Sequence, residues 1–242
     1  MSYATDGYTQ RALFPRERVA RLQEEVLAHI DRVARSLFLP FEESEPDAPL
    51  EERLDRIAAL DPSYANLLRI AACTDAHRSA EFQSLAADPA LRHCMRELLG
   101  AEPGAQIMRL QANITGLPGE RQHWHSDVTQ LDDSACSRIG LTCWIPLMDA
   151  GPDTGGLELV VGRRSAPLSH GNDPRHCEIS EADIAAFPRV QPICPAGSVL
   201  FLDPFTPYRP LPMRSGRARW SLVIWVEPAQ AKAAATRSCE KA

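Results

Sequence analysis

No histidine follows residue 176 in this chain of 242 residues, and none of its seven cysteines forms a C-x-x-C pair. A scattered, odd-numbered cysteine set excludes a disulfide framework and a thiolate zinc site, and reads as buried thiols. Long apolar runs are also missing. Segments 198–202 and 221–226 fall far short of the about 20 residues needed to cross a bilayer, and no basic-then-apolar leader opens the chain. A cytoplasmic location with no membrane partner is expected. Positive charge is in deficit, with 26 Lys and Arg against 32 Asp and Glu and a net charge of −6, which opposes a nucleic-acid partner by bulk electrostatics. There is no Gly-x-Ser-x-Gly elbow, no phosphate-binding glycine loop, no dinucleotide fingerprint and no internal repeat. The glycines between Gly151 and Gly156 read as a turn.

What is present is an ordinary soluble composition, 44% hydrophobic and 24% charged, over a length that supports one sizeable core. One domain is expected. From Pro15 to Leu39, Val19, Leu22, Val26, Ile30, Val33 and Leu37 recur at intervals of three and four, the stripe of an amphipathic helix with Arg16, Glu17, Glu24, Asp31 and Arg35 on its wet side. The acidic stretch from Glu42 to Glu52 reads as a solvated loop. Asp61-Pro62 and Asp88-Pro89 each set an N-cap carboxylate before a first-turn proline, and Gly100 is placed to end the second of these helices.

Residues 1–104 are therefore expected to be mainly helical support. Beyond them the period changes to short β segments, at 106–115, 121–125, 138–147, 157–161, 198–203 and 217–226, within a core spanning 105–228 and followed by a flexible tail at 229–242. Many of the 20 prolines fall after residue 145, in the turns of this region. Short strands at such spacing indicate a sandwich or barrel, and the whole an α+β arrangement.

The densest set of potential ligands is Gln122-His123-Trp124-His125-Ser126-Asp127. Alternate residues of a strand share a face, so His125 and Asp127, with His123, can converge on one ion. Imidazole and carboxylate together suit a divalent metal such as Fe(II), with open positions left for substrate and oxygen.

The motif has a context. After it come Gly140 to Leu147, then Thr154-Gly155-Gly156-Leu157-Glu158-Leu159-Val160, then Pro195 to Phe201, and finally Arg214-Ser215-Gly216-Arg217-Ala218-Arg219. In this order they resemble the phytanoyl-CoA dioxygenase family of Fe(II)- and 2-oxoglutarate-dependent oxygenases, over roughly residues 105 to 227. The resemblance implies a double-stranded β-helix, a cupin-like jelly roll, beside the N-terminal helical layer. It implies Fe(II) and 2-oxoglutarate as cofactors, His125 and Asp127 as metal ligands, and Arg219 as the arginine on the distal carboxylate of 2-oxoglutarate, a task that suits a fork-shaped guanidinium. Trp144, Thr142 and Gln111 fall where the co-substrate pocket is lined. His123, Trp124 and Arg209, with Arg214 and Arg217, are candidates for contact with a polar small-molecule substrate.

One position departs from the family pattern. Its second metal histidine belongs about ten residues before the carboxylate-binding arginine, and Tyr208 stands there, eleven residues before Arg219. Three readings follow. Tyr208 is a phenolate ligand, which requires its pKa of about 10 to fall beside the ion and favours Fe(III). Alternatively, His125 and Asp127 hold the metal with help from water, substrate, His123 or His170. In the third reading the metal is lost, and the chain is a metal-independent enzyme or a non-catalytic partner of a related oxygenase. In any of the three, a homodimer or a heterodimer with a related oxygenase is an expected assembly. If oxygenase chemistry is retained, hydroxylation or cyclisation of a metabolite is the expected outcome.

Overall fold

The computed structural model describes residues 2–114, 123–128, 138–169, 178–213 and 217–229. The chain opens with a single turn, α1 (Tyr3–Asp6), and a short strand, β1 (Tyr8–Ala12). Helices α2 (Arg16–Ser36), α3 (Leu50–Leu60), α4 (Pro62–Asp75), α5 (Ala80–Ala86) and α6 (Pro89–Leu99) follow. Then come β2 (Pro103–Asn113), β3 (Leu141–Pro146), β4 (Leu157–Val160), α7 (Glu181–Ile184), β5 (Arg189–Val190), β6 (Ser198–Leu202), β7 (Tyr208–Pro210) and β8 (Arg219–Pro228).

The helices form for the reasons their sequences give. Val19, Leu22, Val26 and Ile30 of α2 are buried on one stripe. Asp61 accepts from the amides of Ser63 and Tyr64 at the start of α4, and Asp88 from those of Ala90 and Leu91 at the start of α6, each with proline in the first turn. Gly100, at φ 66°, ends α6 in the left-handed conformation.

Within the mainly helical first hundred residues, β1 pairs antiparallel with β6, Tyr8 opposite Leu202. Two local expectations are corrected. The acidic stretch is not simply a solvated loop. A 3-10 turn occupies Phe41–Ser44 and α3 begins at Leu50, with Glu51 and Glu52 in its first turn, where the helix dipole favours them. Asp31 is not on a wet face either, since it pairs with Arg53, a fully buried guanidinium whose Nε also donates to the Ser44 carbonyl at 2.5 Å. The Asp31–Arg53 pair pins α2 to α3.

Two antiparallel sheets face each other, one of five strands in the order β1-β6-β3-β8-β2 and one of three in the order β5-β4-β7. This is the double-stranded β-helix, and strict alternation along the strands divides its two cores. On β8, Trp220, Leu222, Ile224 and Val226 join the helical layer, together with Cys143 and Ile145 of β3 and Leu110 and Ala112 of β2. The opposite parity, including Trp144, Leu200, Leu202 and Val223, turns inward to meet Leu157, Leu159 and Tyr208 of the smaller sheet. Burying each such apolar side chain contributes roughly 1.5–3 kcal/mol, so the helical layer holds the outer face of the large sheet and leaves its inner face for the site. Among the described residues no helix is long and apolar enough to cross a membrane.

Candidate active site

The His125 segment is not the extended strand expected over 121–125. Residues 121 and 122 lie outside the described residues, and His125 makes an isolated bridge to β7. Its amide donates to the Tyr208 carbonyl at 3.0 Å, and the Tyr208 amide donates back at 2.8 Å. Directly paired antiparallel residues project to the same side. The two side chains accordingly meet inside the jelly roll, with ring centroids 4.3 Å apart at an interplanar angle of 52°.

Asp127 reaches from this pair to the large sheet. One of its carboxylate oxygens accepts from the Tyr208 hydroxyl at 2.9 Å. The other accepts from the Thr142 hydroxyl of β3 at 2.6 Å. Thr142, expected to line a co-substrate pocket, therefore orients Asp127. The imidazole is oriented as well, because its Nδ1 lies 2.9 Å from the carbonyl oxygen of His123. A carbonyl only accepts, so Nδ1 carries the hydrogen and Nε2 keeps the lone pair that a metal needs.

Inward parity then leads from Thr142 to Trp144 on β3, about 6.6 Å further along the strand. The guanidinium of Arg219, a residue 1% exposed, lies over the Trp144 ring at 5.6 Å and donates to the Ser221 hydroxyl at 3.4 Å. Asn113 stands opposite Arg219, and Gln111, half-buried, opposite Ser221. Gly155, at φ 70°, lets the loop before β4 close on this end of β8: a Cβ there would stand 2.4 Å from Met213 Sδ and 3.5 Å from Arg219 Cβ.

Trp124 and Arg209 do not open onto this interior. Each neighbours an inward residue in the chain and so faces out. Trp124 is 2% exposed and packs with Val160, Ile179 and Ile184. Arg209 stacks on its ring at 4.7 Å and is held by Glu158 and Glu181. His123 is exposed, with Nε2 3.2 Å from Glu178. Arg217 faces Glu52 at 3.4 Å. His170 and Arg214 lie outside the described residues.

Sequence reasoning missed Trp225, which stands on the inner face directly opposite Thr142. The signal was available in the parity of β8, since 219, 221, 223 and 225 share one side. The indole N–H groups of Trp144 and Trp225 are both buried without an acceptor among the described residues, which gives the interior two donors for ligand oxygens. The buried thiols of Cys143 and Cys194 take no part. Burial pushes the Cys143 thiol up and the Cys194 thiol up to about 12, so neither supplies a thiolate.

Among the described residues no three His, Cys, Asp or Glu side chains come together to hold a metal. The donors that do converge are the His125 imidazole, the Asp127 carboxylate and the Tyr208 hydroxyl. An N, O, O set of this kind fits iron.

No curated protein matches this sequence. The sequence model of a family described as phytanoyl-CoA dioxygenase matches residues 3–221. Among solved structures, the fold is similar to AviO1 from Streptomyces viridochromogenes Tue57, at 20% identity and a TM-score of 0.54, covering 95% of this chain and 93% of that one. It is similar to the epimerase SnoN in complex with Fe3+, alpha ketoglutarate and nogalamycin RO, at 19% identity and a TM-score of 0.61, over 94% and 81%. It is also similar to EctD from S. alaskensis with 2-oxoglutarate and 5-hydroxyectoine, at 20% identity and a TM-score of 0.58, over 92% and 73%.

Proposed function

Because this chain belongs to the phytanoyl-CoA dioxygenase family, we propose that it is a 2-oxoglutarate-dependent oxygenase that hydroxylates or cyclises a small-molecule metabolite, with iron held by His125, Asp127 and Tyr208. The observation that carries the reading is the continuous inner-face path from the His125, Tyr208 and Asp127 cluster through Thr142 and Trp144 to the buried guanidinium of Arg219. It joins a metal-type donor set to a carboxylate-type receptor along one inner face of the jelly roll.

Bound iron and 2-oxoglutarate supply the oxidising power, coupling decarboxylation of the co-substrate to attack on an unactivated C–H bond. The protein supplies placement. Arg219 takes the distal carboxylate through its planar fork, and the Trp144 indole N–H offers a further donor to the same ligand. Thr142 fixes the rotation of Asp127, and the His123 carbonyl fixes the tautomer of His125. Tyr208 donates its hydroxyl hydrogen to Asp127, and both oxygens would be available to hold the cation.

A second reading has its own observation. Both Asp127 oxygens already accept a protein hydroxyl, so the cluster is satisfied without metal, as suits a metal-independent enzyme or a partner subunit of a related oxygenase. Anaerobic addition of Fe(II) and 2-oxoglutarate separates the two. The oxygenase gives a weak metal-to-ligand charge-transfer band and forms succinate in air. No band and no succinate, in the native protein and in Tyr208→His alike, would sink the oxygenase reading; a band and succinate in Tyr208→His alone would mark a site disabled at one ligand.

A further inference from the structure

The residues on the outer side of the His125–Tyr208 pair form a second row that is as ordered as the inner one. Since His125 pairs with Tyr208, the antiparallel register sets Trp124 opposite Arg209, and β4 sets Glu158 opposite Arg209 on its other side. Arg209 stacks on the Trp124 ring at 4.7 Å. Its Nε donates to Glu158 at 2.8 Å and its Nη1 to Glu181 at 2.6 Å. Glu181, the first residue of α7, also accepts from the Trp124 indole at 3.0 Å. Two residues earlier the Ile179 amide donates to the Trp124 carbonyl at 2.7 Å, and Glu178 meets His123. The segment from Glu178 to Ile184 thus straps the His-x-Asp chain to β7 from behind.

Among the described residues, His125 is joined to β7 by one isolated bridge, not by a ladder, and Val128 donates its amide to the Pro204 carbonyl at 3.2 Å. A single bridged residue is a weak anchor for a ligand that must be held within a fraction of an ångström. The outer row adds a constraint through a planar guanidinium shared between two carboxylates and an aromatic face.

We propose that Arg209 and Glu181 are positioning residues that act through Trp124 and the β7 backbone to hold His125 and Tyr208 in register against Asp127. The proposal rests on the reading of that trio as the metal site, but its first test needs no metal. The chain has four tyrosines, Tyr3, Tyr8, Tyr64 and Tyr208. In metal-free protein labelled with carbon-13 tyrosine, Tyr208→Phe identifies the Tyr208 ring signals. Arg209→Met and the milder Glu181→Gln are expected to shift those signals while the other three stay in place. Unmoved Tyr208 signals in both variants, or equal shifts of all four tyrosines, overturn the proposal.

With Fe(III) added, the native protein is then expected to show a tyrosinate-to-iron absorption band, which weakens in both variants as iron affinity falls about ten- to a hundredfold. Lowered thermal stability with an unchanged band would mean a merely structural role, and would likewise overturn it. Absence of the band in the native protein refutes Tyr208 as ligand and leaves the metal-free comparison to decide the strap.

Discussion

The hydroxyl of Tyr208 donates to Asp127 across 2.9 Å, joining a residue of the smaller sheet to the carboxylate that Thr142 of the larger sheet holds from its other side. This chain of hydroxyl, carboxylate and hydroxyl ties the two sheets together.

Breaking one end of the chain is informative. Thr142 is 1% exposed, and Thr142→Val keeps its volume while removing the donor. The expected cost is about 1 kcal/mol of unfolding free energy and about a tenfold loss of iron affinity. Denaturant titration reads the first and metal-competition titration the second; an unchanged affinity would show that Asp127 needs no help from β3.

At the other end of the site, Arg219→Lys keeps the charge and loses the planar fork. Binding of 2-oxoglutarate to the anaerobic iron-loaded protein is expected to weaken by about 2 kcal/mol, roughly thirtyfold in Kd by calorimetry. Gly155→Ala should act in the same direction without touching the ligand, because a left-handed alanine displaces Met213 against β8. An unaltered Kd in Arg219→Lys would move the co-substrate elsewhere.

The helical layer carries its own test. Arg53→Met removes a buried charge from its partner Asp31 and leaves the Ser44 carbonyl without its donor. A loss of about 3 kcal/mol is expected, seen as a lower urea midpoint. A double variant, Arg53→Met with Asp31→Leu, should recover much of it.

Acid acts through two histidines. Burial, then the guanidinium of Arg32, holds His29 below its ordinary pKa, and burial, then Arg78, does the same for His77. The unfolded chain therefore binds protons near pH 6.5 that the folded chain refuses. Stability should be full above that value and fall as pH drops through it toward the depressed folded pKa. Urea midpoints at pH 7.5 and pH 5 measure the difference, and His29→Gln should shrink it. A slope that His29→Gln leaves unchanged would place the effect elsewhere.

How far the sequence spoke depended on whether a signal was local. The stripe of α2 and the Asp-Pro starts of α4 and α6 are complete within one turn of chain, and their hydrogen bonds follow from residue type alone. The polar strand β1 carries no such signal, since what makes it a strand is the edge of β6 about 190 residues away. Trp124 is the instructive case. Alternation with His125 already set it on the outer side, yet the cover that buries it, Ile179 with Glu181, comes from a separate segment that nothing near residue 124 announces. The His-x-Asp pair, Tyr208 and Arg219 were nameable in advance. The roles of Thr142 and Arg209 were not, because each is defined by what stands across a sheet.

The strand order gives the molecule a schedule. The largest sheet needs β8 between β3 and β2, and β6 between β1 and β3. During synthesis the helices emerge first, with the apolar face meant for that sheet still uncovered, and β1 waits for Leu202 before it has a neighbour. Non-local pairings of this kind fold slowly and leave sticky surface open in the interval. A nascent chain stopped before β8 therefore has a helical half to display and lacks the strand that stands between β3 and β2.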